Sequence, residues 1–386
     1  MKRIKVKKIN FNKNFSNLFT REGKIFDAKT LSIFLLVCGL AIFGCIMVYS
    51  ASSYIANYRY SNPYFYLTKQ IIGAVLGIAA MFVCTFINYQ KLKKLKWWVV
   101  IISAVLLALV FIPGIGVENY GAKRWLNLGL FTIQPSEFAK FALVLFSAAY
   151  LSDNYEKIGK FKTLLPVLGV GLGFCLLVIL EPNMSITMCI GFIMLFMLFV
   201  GGTKMKHFVW LGIPAACAVP ALIIVEPYRV QRFMAFLNPW ASPQAEGFQL
   251  IQSLYSLGSG GLFGVGLGNS RQKYMFLPFS ESDFIFSIIG EELGLFGAIL
   301  TLLVFAVLIY LLISVARNAK DRFGALLVLG VASVIAIQVI LNVCVVSGLI
   351  PPTGLPLPFI SAGSTSLIVF MAAVGLCLNV ARQSRV

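Results

Sequence analysis

The sequence predicts an all-α polytopic membrane protein with about ten transmembrane helices, cytoplasmic N- and C-termini, and a large extracytoplasmic loop between helices 7 and 8. Hydrophobic residues make up 59% of the 386 residues and charged residues only 12%, against roughly 45–50% and about 25% in soluble domains. The mean hydropathy is +0.89. So few charges could not cover a water-facing surface, and a secreted, cytosolic or disordered protein is therefore excluded.

The helices are predicted from runs of apolar residues, because a spanning helix needs about 20 of them. Ten runs lie at residues 31–51, 70–87, 97–113, 135–151, 163–180, 185–201, 207–225, 284–315, 323–349 and 364–381. The eighth and ninth are long enough to tilt. The first follows thirty polar residues, which favours an uncleaved signal anchor over a cleaved signal peptide.

The orientation follows from the Lys and Arg residues, which are enriched in cytoplasmic loops. With the N-terminus inside, 23 of the 32 lie on the cytoplasmic side, eight lie outside, and Lys140 lies within a span. The chain then divides into a basic cytoplasmic tail (1–30), one ten-helix membrane domain (31–382) and a short cytoplasmic tail (383–386). The first tail is expected to contact anionic lipid. Nucleic acid is not an expected partner, despite the net charge of +18.

Two outer segments differ from simple connectors. The loop 227–283 has 57 residues and contains an apolar stretch from Phe248 to Leu267 that is interrupted by glycines. This stretch predicts a short amphipathic helix followed by a Gly-rich turn at the membrane surface. The segment 350–364 is rich in Pro, Gly and hydroxyl residues, so it cannot continue a helix and must line protein or a cavity.

Ionisable residues in or beside the spans are costly there and are candidates for function. Glu137 and Lys140 are three residues apart, so they share one helix face and can pair. The pair is either structural or part of a site. Glu181 lies between two short spans near the outer surface, where a loop-capping role and a ligand-binding role are both open.

Asp283 opens the eighth span, where it serves either as a helix N-cap or as a functional acid. Several cations are predicted to lie on the same side of the membrane, although outer cations are disfavoured by topology. They are Lys123, Arg124, Arg229, Arg232, Arg271 and Lys273. An anionic head group such as a phosphate would account for their clustering. On these residues alone, chemistry and transport both stay open.

Further polar groups lie deeper in the predicted spans. Glu291 and Glu292 follow Asp283 by eight and nine residues in the same span. Gln338 and Asn342, four residues apart in the ninth span, are expected to hydrogen-bond between helices. The chain has one histidine, His207, and eight cysteines without a CxxC motif, so no disulfide framework, thiolate metal site or histidine metal site is predicted.

Long motifs in this chain resemble the SEDS family of bacterial membrane proteins, and the FtsW/SpoVE branch more than RodA. They are YGAKRWLNLGLFTIQPSEFAKFA, then NPWASPQAEGFQLIQSLYSLGSGGLFGVGLGNSRQKYMFLPFSESDFIFSIIGEELG, then GLIPPTGLPLPFISAGSTS and the tail LNVAR. The resemblance covers nearly the whole chain after residue 30.

The resemblance implies a peptidoglycan glycosyltransferase that polymerises lipid II, with inversion, at the outer face of the bacterial cytoplasmic membrane, for cell division or spore cortex synthesis. The implied partners are the lipid-linked glycan strand, a class B penicillin-binding protein and other division or sporulation membrane proteins. The family's proposed catalytic acid maps onto Asp283. The QPSE-x-x-K motif maps onto Glu137 and Lys140, and the basic GA(R/K)RW motif onto Lys123, Arg124 and Trp125.

The chain departs from the family pattern at Glu181-Pro182-Asn183, where many members have Gln-Pro-Asp. Either Glu181 replaces the missing acid or that acid is dispensable here. A divalent cation, Mg²⁺ or Mn²⁺, could bridge a pyrophosphate and a carboxylate, but no motif in the sequence identifies a metal site. The competing function is a lipid II flippase without chemistry, with the charges within the spans lining its path; a scaffold for division or cortex assembly is a third.

Overall fold

The structure, a computed structural model, describes residues 27–119, 122–127, 132–224 and 227–384, in which α-helices predominate. The first six helices are α1 (Ala28–Tyr60), α2 (Phe65–Phe86), α3 (Tyr89–Lys94), α4 (Lys96–Leu109), α5 (Pro135–Asp153) and α6 (Leu165–Leu180). The others are α7 (Met184–Gly201), α8 (Met205–Ile224), α9 (Pro227–Leu237), α10 (Phe248–Gly260), α11 (Ile285–Arg317), α12 (Arg322–Val346) and α13 (Ser364–Gln383). Most of the basic tail 1–30 and the last two residues lie outside the described residues.

Each of the ten predicted spans coincides with one of these helices. Within the described residues, six helices are long and apolar enough to cross a membrane, namely α1, α2, α7, α11, α12 and α13. Two more, α4 and α6, are apolar but shorter. The chain is thus a multi-pass membrane protein. That all ten helices cross, and in which direction, stays a prediction.

Helices α12 and α13 form the centre of the bundle. In their most apolar windows 67% of the residues are buried, whereas the figure for α2 is 28%. Small residues let α2 and α13 approach closely, since a Cβ atom at Gly375 would lie 2.3 Å from the carbonyl oxygen of Met81.

A three-stranded antiparallel sheet follows α4, which the all-α prediction did not include. Its strands are β1 (Gly116–Asn119), β2 (Ala122–Asn127) and β3 (Thr132–Ile133), in the order β1-β2-β3. Trp125 pairs with Val117 across β1 and β2, and Lys123 pairs with Glu118. The motif around Arg124 is therefore carried on a short, paired strand rather than on a free loop.

The segment 227–283 is partly helical. The predicted helix begins at Phe248 and ends at Gly260, and Gly-containing turns follow, as the sequence indicated. The sequence did not predict α9. Helix α11 is broken at Gly294, whose φ of 68° is left-handed. The turns after α10 pair with this break, because Val265 N donates to Glu291 O at 2.9 Å and Leu295 N donates to Gly261 O at 2.9 Å. The backbone groups that the break frees are thus satisfied.

Candidate active site

Asp283 lies in a series of turns that leads into α11. The N-cap position of α11 is occupied by Phe284, and no side chain caps this end of the helix. The N-cap role that the position of Asp283 suggested is therefore not the one it has in the structure. Asp283 is half-buried.

The surroundings of Asp283 place its titration close to neutrality. The pKa of its carboxyl is raised to about 7, mainly by burial and then by the charge of Glu281. Arg124 and Arg232 act in the opposite direction. A carboxyl with such a pKa can accept a proton near neutral pH and release it again, as a general base requires.

Two amide side chains of α12 connect Asp283 to the segment that precedes α13. Asn342 Nδ2 donates to the backbone oxygen of Asp283 at 2.8 Å and to that of Leu355 at 2.7 Å. Gln338 Nε2 donates to the backbone oxygen of Pro356 at 2.8 Å. Of the segment 350–364 that was predicted to be non-helical, residues 350–363 are not helical and Ser364 begins α13. Gly354 of this segment lies beside Asp283.

Glu137 and Lys140 form an ion pair of 2.8 Å in which both side chains are fully buried. Lys140 Nζ also donates to Gln338 Oε1 at 2.6 Å, and Ser366 Oγ donates to Glu137 Oε2 at 3.0 Å. Since Gln338 in turn holds Pro356, the pair supports the segment beside Asp283. Both charges are compensated inside the protein, which is the requirement for burying them.

Arg124 connects strand β2 to the turn between α6 and α7. Its Nε donates to the backbone oxygen of Glu181 at 3.2 Å, and its Nη2 donates to that of Pro182. Burial lowers the pKa of Arg124, and the attraction of Asp283 is among the effects that raise it. The guanidinium thus lies between the turn and the candidate acid.

Glu181 is buried, with 1% of its surface exposed. Neither of its carboxylate oxygens has a hydrogen-bond partner among the described residues. Burial raises its pKa to about 8, and Arg124 opposes this rise. The backbone of Glu181, rather than its carboxyl, therefore holds Arg124. At the position where many family members have Asp, Asn183 caps α7 by accepting from Ile186 N at 3.3 Å.

Two of the predicted outer cations lie in the turns that follow α10 and contact the acids of α11, Lys273 through its side chain and Arg271 through its backbone. Lys273 is buried and pairs with Glu292 at 3.3 Å, and Ser50 Oγ donates to the same carboxylate at 2.7 Å. Arg271 donates its backbone N–H to Glu291 Oε1 at 2.9 Å, and its side chain is exposed. Sequence reasoning did not separate these residues from Arg124 and Arg232, which act on Asp283.

The remaining predicted site residues lie on the sheet and on α9. Lys123 and Trp125 are partly exposed on β2, next to Arg124. Arg229 is buried on α9, and its Nε donates to the hydroxyl of Tyr228 at 3.1 Å. An open cavity of about 340 Å³ lies beside α9. Its lining includes Arg232 of α9, Phe279 of the turns before Asp283 and Pro352 of the segment before α13.

Sequence reasoning missed two residues that contact or act on Asp283. Glu281 is two positions away in SESDF, so its effect on Asp283 could have been inferred from the motif. Gly354 gave no such signal: a Cβ atom there would lie 2.9 Å from Asp283 Oδ2. In the described part of the chain, no three His, Cys, Asp or Glu side chains come together in a way that could hold a metal ion.

Residues 30–386 match the family model described as "Cell cycle protein", FtsW/RodA/SpoVE. The chain belongs to the SEDS family. Two curated SEDS relatives are similar over almost their full length. Stage V sporulation protein E of Bacillus subtilis (strain 168) is 42% identical over 348 residues, which is 90% of this chain and 95% of that protein. A probable peptidoglycan glycosyltransferase FtsW of Geobacter metallireducens is 40% identical over 363 residues, or 94% and 97%.

Solved SEDS structures share the fold. A chain from a structure described as "Structural coordination of polymerization and crosslinking by a peptidoglycan synthase complex" matches with a TM-score of 0.76 and 28% identity, covering 92% of this chain and 97% of that one. The rod shape determining protein RodA of Thermus thermophilus matches with a TM-score of 0.66 and 26% identity, with the same coverage. The resemblance drawn from the motifs is thereby confirmed.

Proposed function

We propose that this chain is a peptidoglycan glycosyltransferase that polymerises lipid II at the outer face of the bacterial cytoplasmic membrane, with Asp283 as general base. The relatives' names support the reaction class. The observation that carries the residue assignment is geometric: the Asp283 carboxyl is half-buried beside Gly354, and Arg124 is held by the carbonyl groups of Glu181 and Pro182. A pKa of about 7 for Asp283, on which the charges of Arg124 and Arg232 act, supports it. Such a pair of features is what a glycosyl transfer from a pyrophosphate needs.

In the proposed reaction the 4-hydroxyl of an incoming lipid II attacks the anomeric carbon at the lipid-linked end of the glycan. The new carbon–oxygen bond forms on the face opposite the leaving group, so an α-linked pyrophosphate gives a β-1,4 bond. The hydroxyl proton goes to the Asp283 carboxylate. The bonding electron pair leaves with the lipid pyrophosphate, which departs as an anion. No second carboxyl is needed as acid, in contrast to the glycosidases.

The leaving group needs positive charge rather than a proton. Arg124 and Arg232 are the cations whose charges act on Asp283, and planar guanidinium groups suit phosphate oxygens. Fixed cations that face developing charge lower the barrier without reorganisation. Lys123, Trp125 and Arg229 complete the proposed substrate surface on the neighbouring strand and helix. Arg271 would contact substrate through its exposed side chain.

The transport alternative rested on Glu137, Lys140, Glu291 and Glu292 lining a path. In the structure Glu137 and Lys140 are paired with each other. Glu291 accepts from Ser256 and Ser270 at 3.0 and 2.6 Å. Glu292 is paired with Lys273. All four groups are buried and engaged by fixed protein groups, an arrangement that supports the glycosyltransferase over a flippase.

We further propose that the enzyme acts with a class B penicillin-binding protein that crosslinks the strands. A chain of similar fold was solved in a peptidoglycan synthase complex, which supports such a partner.

The deciding experiment compares Asp283→Asn with Asp321→Asn in lipid II polymerisation by purified protein, with and without a candidate partner. Asp321 caps α12 by accepting from Gly324 N at 2.7 Å, a role that Asn can fill. Asn would lose the bonds that Asp321 Oδ2 accepts from Tyr89 and Gln90, so this control includes a structural loss away from Asp283. We expect Asp283→Asn to fold, bind lipid II and lose about 10²- to 10⁴-fold in rate, while Asp321→Asn stays active. Near wild-type polymer from Asp283→Asn would end the assignment. Lipid II translocation without polymer from the wild type would favour the flippase.

A further inference from the structure

Asn342 joins the two backbone segments that meet at the candidate base. It lies in α12, with 1% of its surface exposed, and the residues around it in this helix are mainly apolar. Its single Nδ2 group donates both to Asp283 O and to Leu355 O, at 2.8 and 2.7 Å. Asp283 and Asn342 are 59 positions apart in sequence, so this contact exists only in the folded protein.

The segment on the other side of this contact has little hydrogen bonding of its own, because Pro351, Pro352, Pro356 and Pro358 lack an N–H group. Side chains hold it instead, two from other helices and one, Ser361, from the same segment. The bonds are Gly354 N to Ser185 Oγ at 3.0 Å, Gln338 Nε2 to Pro356 O at 2.8 Å and Leu357 N to Ser361 Oγ at 2.7 Å. With the Asn342 bond to Leu355, four consecutive residues are fixed.

This fixed segment lies beside the acid itself. A methyl group at Gly354 would lie 2.9 Å from Asp283 Oδ2, so the carboxyl oxygen occupies the space that a side chain at this position would enter. Ser361 Oγ also donates to the backbone oxygen of Ser282, at 2.6 Å. The carboxyl therefore faces residues 354–357, which we call the wall. Ser361 and Asn342 each bond both to the wall and to the backbone of residues 282–283, and so fix the position of one relative to the other.

We propose that Asn342 is a positioning residue for the glycosyl transfer: its amide holds the Asp283 backbone against the 354–357 wall and thereby fixes where the carboxyl meets the acceptor hydroxyl. The inference rests on the proposed role of Asp283. A displacement of about 1 Å in a catalytic group can cost about 10²-fold in rate, so one amide with two bonds has a large effect without touching substrate.

A purely structural role for Asn342 would give a different result, and the chain offers a matched control. Asn379 in α13 is likewise buried, at 2% exposure, and also bridges two segments. Its Nδ2 donates to Thr85 O at 2.7 Å, and its Oδ1 accepts from Tyr89 N at 3.0 Å. Those contacts lie near the C-terminal ends of α2 and α13, away from Asp283. Asn379 Oδ1 also accepts from Gln383 Nε2 at 2.7 Å, so Asn379→Leu removes more hydrogen bonds than Asn342→Leu does and is a stringent control for the loss of a buried amide.

The experiment measures lipid II polymerisation by the two purified, full-length variants from about pH 5.5 to 8.5. We expect Asn342→Leu to lower kcat by roughly 10- to 100-fold, with KM for lipid II little changed. The pH below which activity is lost should also be lower than in wild type, because a carboxyl released from the wall is better hydrated and has a lower pKa. Asn379→Leu should keep the wild-type pH profile, whatever stability it loses.

If Asn342→Leu does not fold, Asn342→Ser removes the same two bonds with a smaller change of side chain and is measured in its place. Gly354→Ala tests the other side of the arrangement without removing a hydrogen bond. It should lower kcat and change the pH profile. Gly173→Ala, at a helical glycine with open space around it, should do neither. A wild-type kcat and pH profile in folded Asn342→Leu, or the same profile change in Asn379→Leu, would overturn the proposal. An active Asp283→Asn in the same assay would instead refute the general base itself.

Discussion

Replacing Lys140 by Met tests whether the buried ion pair supports the fold and the wall beside Asp283. Lys140 Nζ donates to Glu137 Oε1 at 2.8 Å and to Gln338 Oε1 at 2.6 Å, with no exposure of either charged side chain. Removing one partner of a buried pair leaves an uncompensated charge, which costs roughly 3–5 kcal/mol. The double variant Glu137→Gln, Lys140→Met leaves no charge, and its cost should fall to the roughly 1–3 kcal/mol of an unsatisfied Gln338 oxygen.

The assay is unfolding of the purified proteins in detergent, followed by circular dichroism. The control is Lys96→Met, because Lys96 pairs with Asp153 at 2.6 Å while 20% and 36% of the two side chains are exposed, and Asp153 keeps a second partner, Lys93, at 2.6 Å. Such an exposed pair contributes about 0–1 kcal/mol. Lys140→Met should therefore be much less stable than Lys96→Met. The reasoning is refuted if the two variants lose equal stability, or if the double variant is no more stable than Lys140→Met alone.

Three further outcomes are expected. The polymerisation rate should rise with pH through about 7, the pKa of Asp283, because a general base must be deprotonated; a flat profile would contradict this role. Glu181 has a folded pKa of about 8 against its ordinary 4.5, so its ionisation destabilises the fold as pH rises. Glu181→Gln should then match wild type in chemical denaturation near pH 5 and exceed its stability near pH 9; equal stability at both would exclude a buried carboxyl. Arg124→Ala should lower turnover about 10²- to 10³-fold in initial-rate assays, and Arg124→Lys should not restore it, because Arg124 uses two nitrogens to hold two carbonyl groups.

The sequence by itself determined the ten apolar helices, though not α3 or α9, because hydrocarbon admits long apolar segments whose backbone groups bond within the segment. It also determined the pairing of Glu137 with Lys140, since residues three apart in a helix are neighbours. The end of α10 and the non-helical course of segment 350–363 followed from their Gly and Pro residues. These are local properties, and a periodic or conformational preference of a few adjacent residues is enough to predict them.

Only the tertiary structure decided which polar groups meet at Asp283. Arg124 and Lys273 are both outer cations in the sequence, but the first reaches the turn at Glu181 and the second is paired with Glu292. The sequence marked Asn342 only as a polar group expected to hydrogen-bond between helices, and it gave no signal for Gly354. In the structure Asn342 donates to the Asp283 backbone, and the Asp283 carboxyl lies beside Gly354. Such contacts depend on how separate helices and loops pack, which no local pattern specifies. Burial, and with it the pKa of Asp283, is likewise a property of the packed protein rather than of the motif.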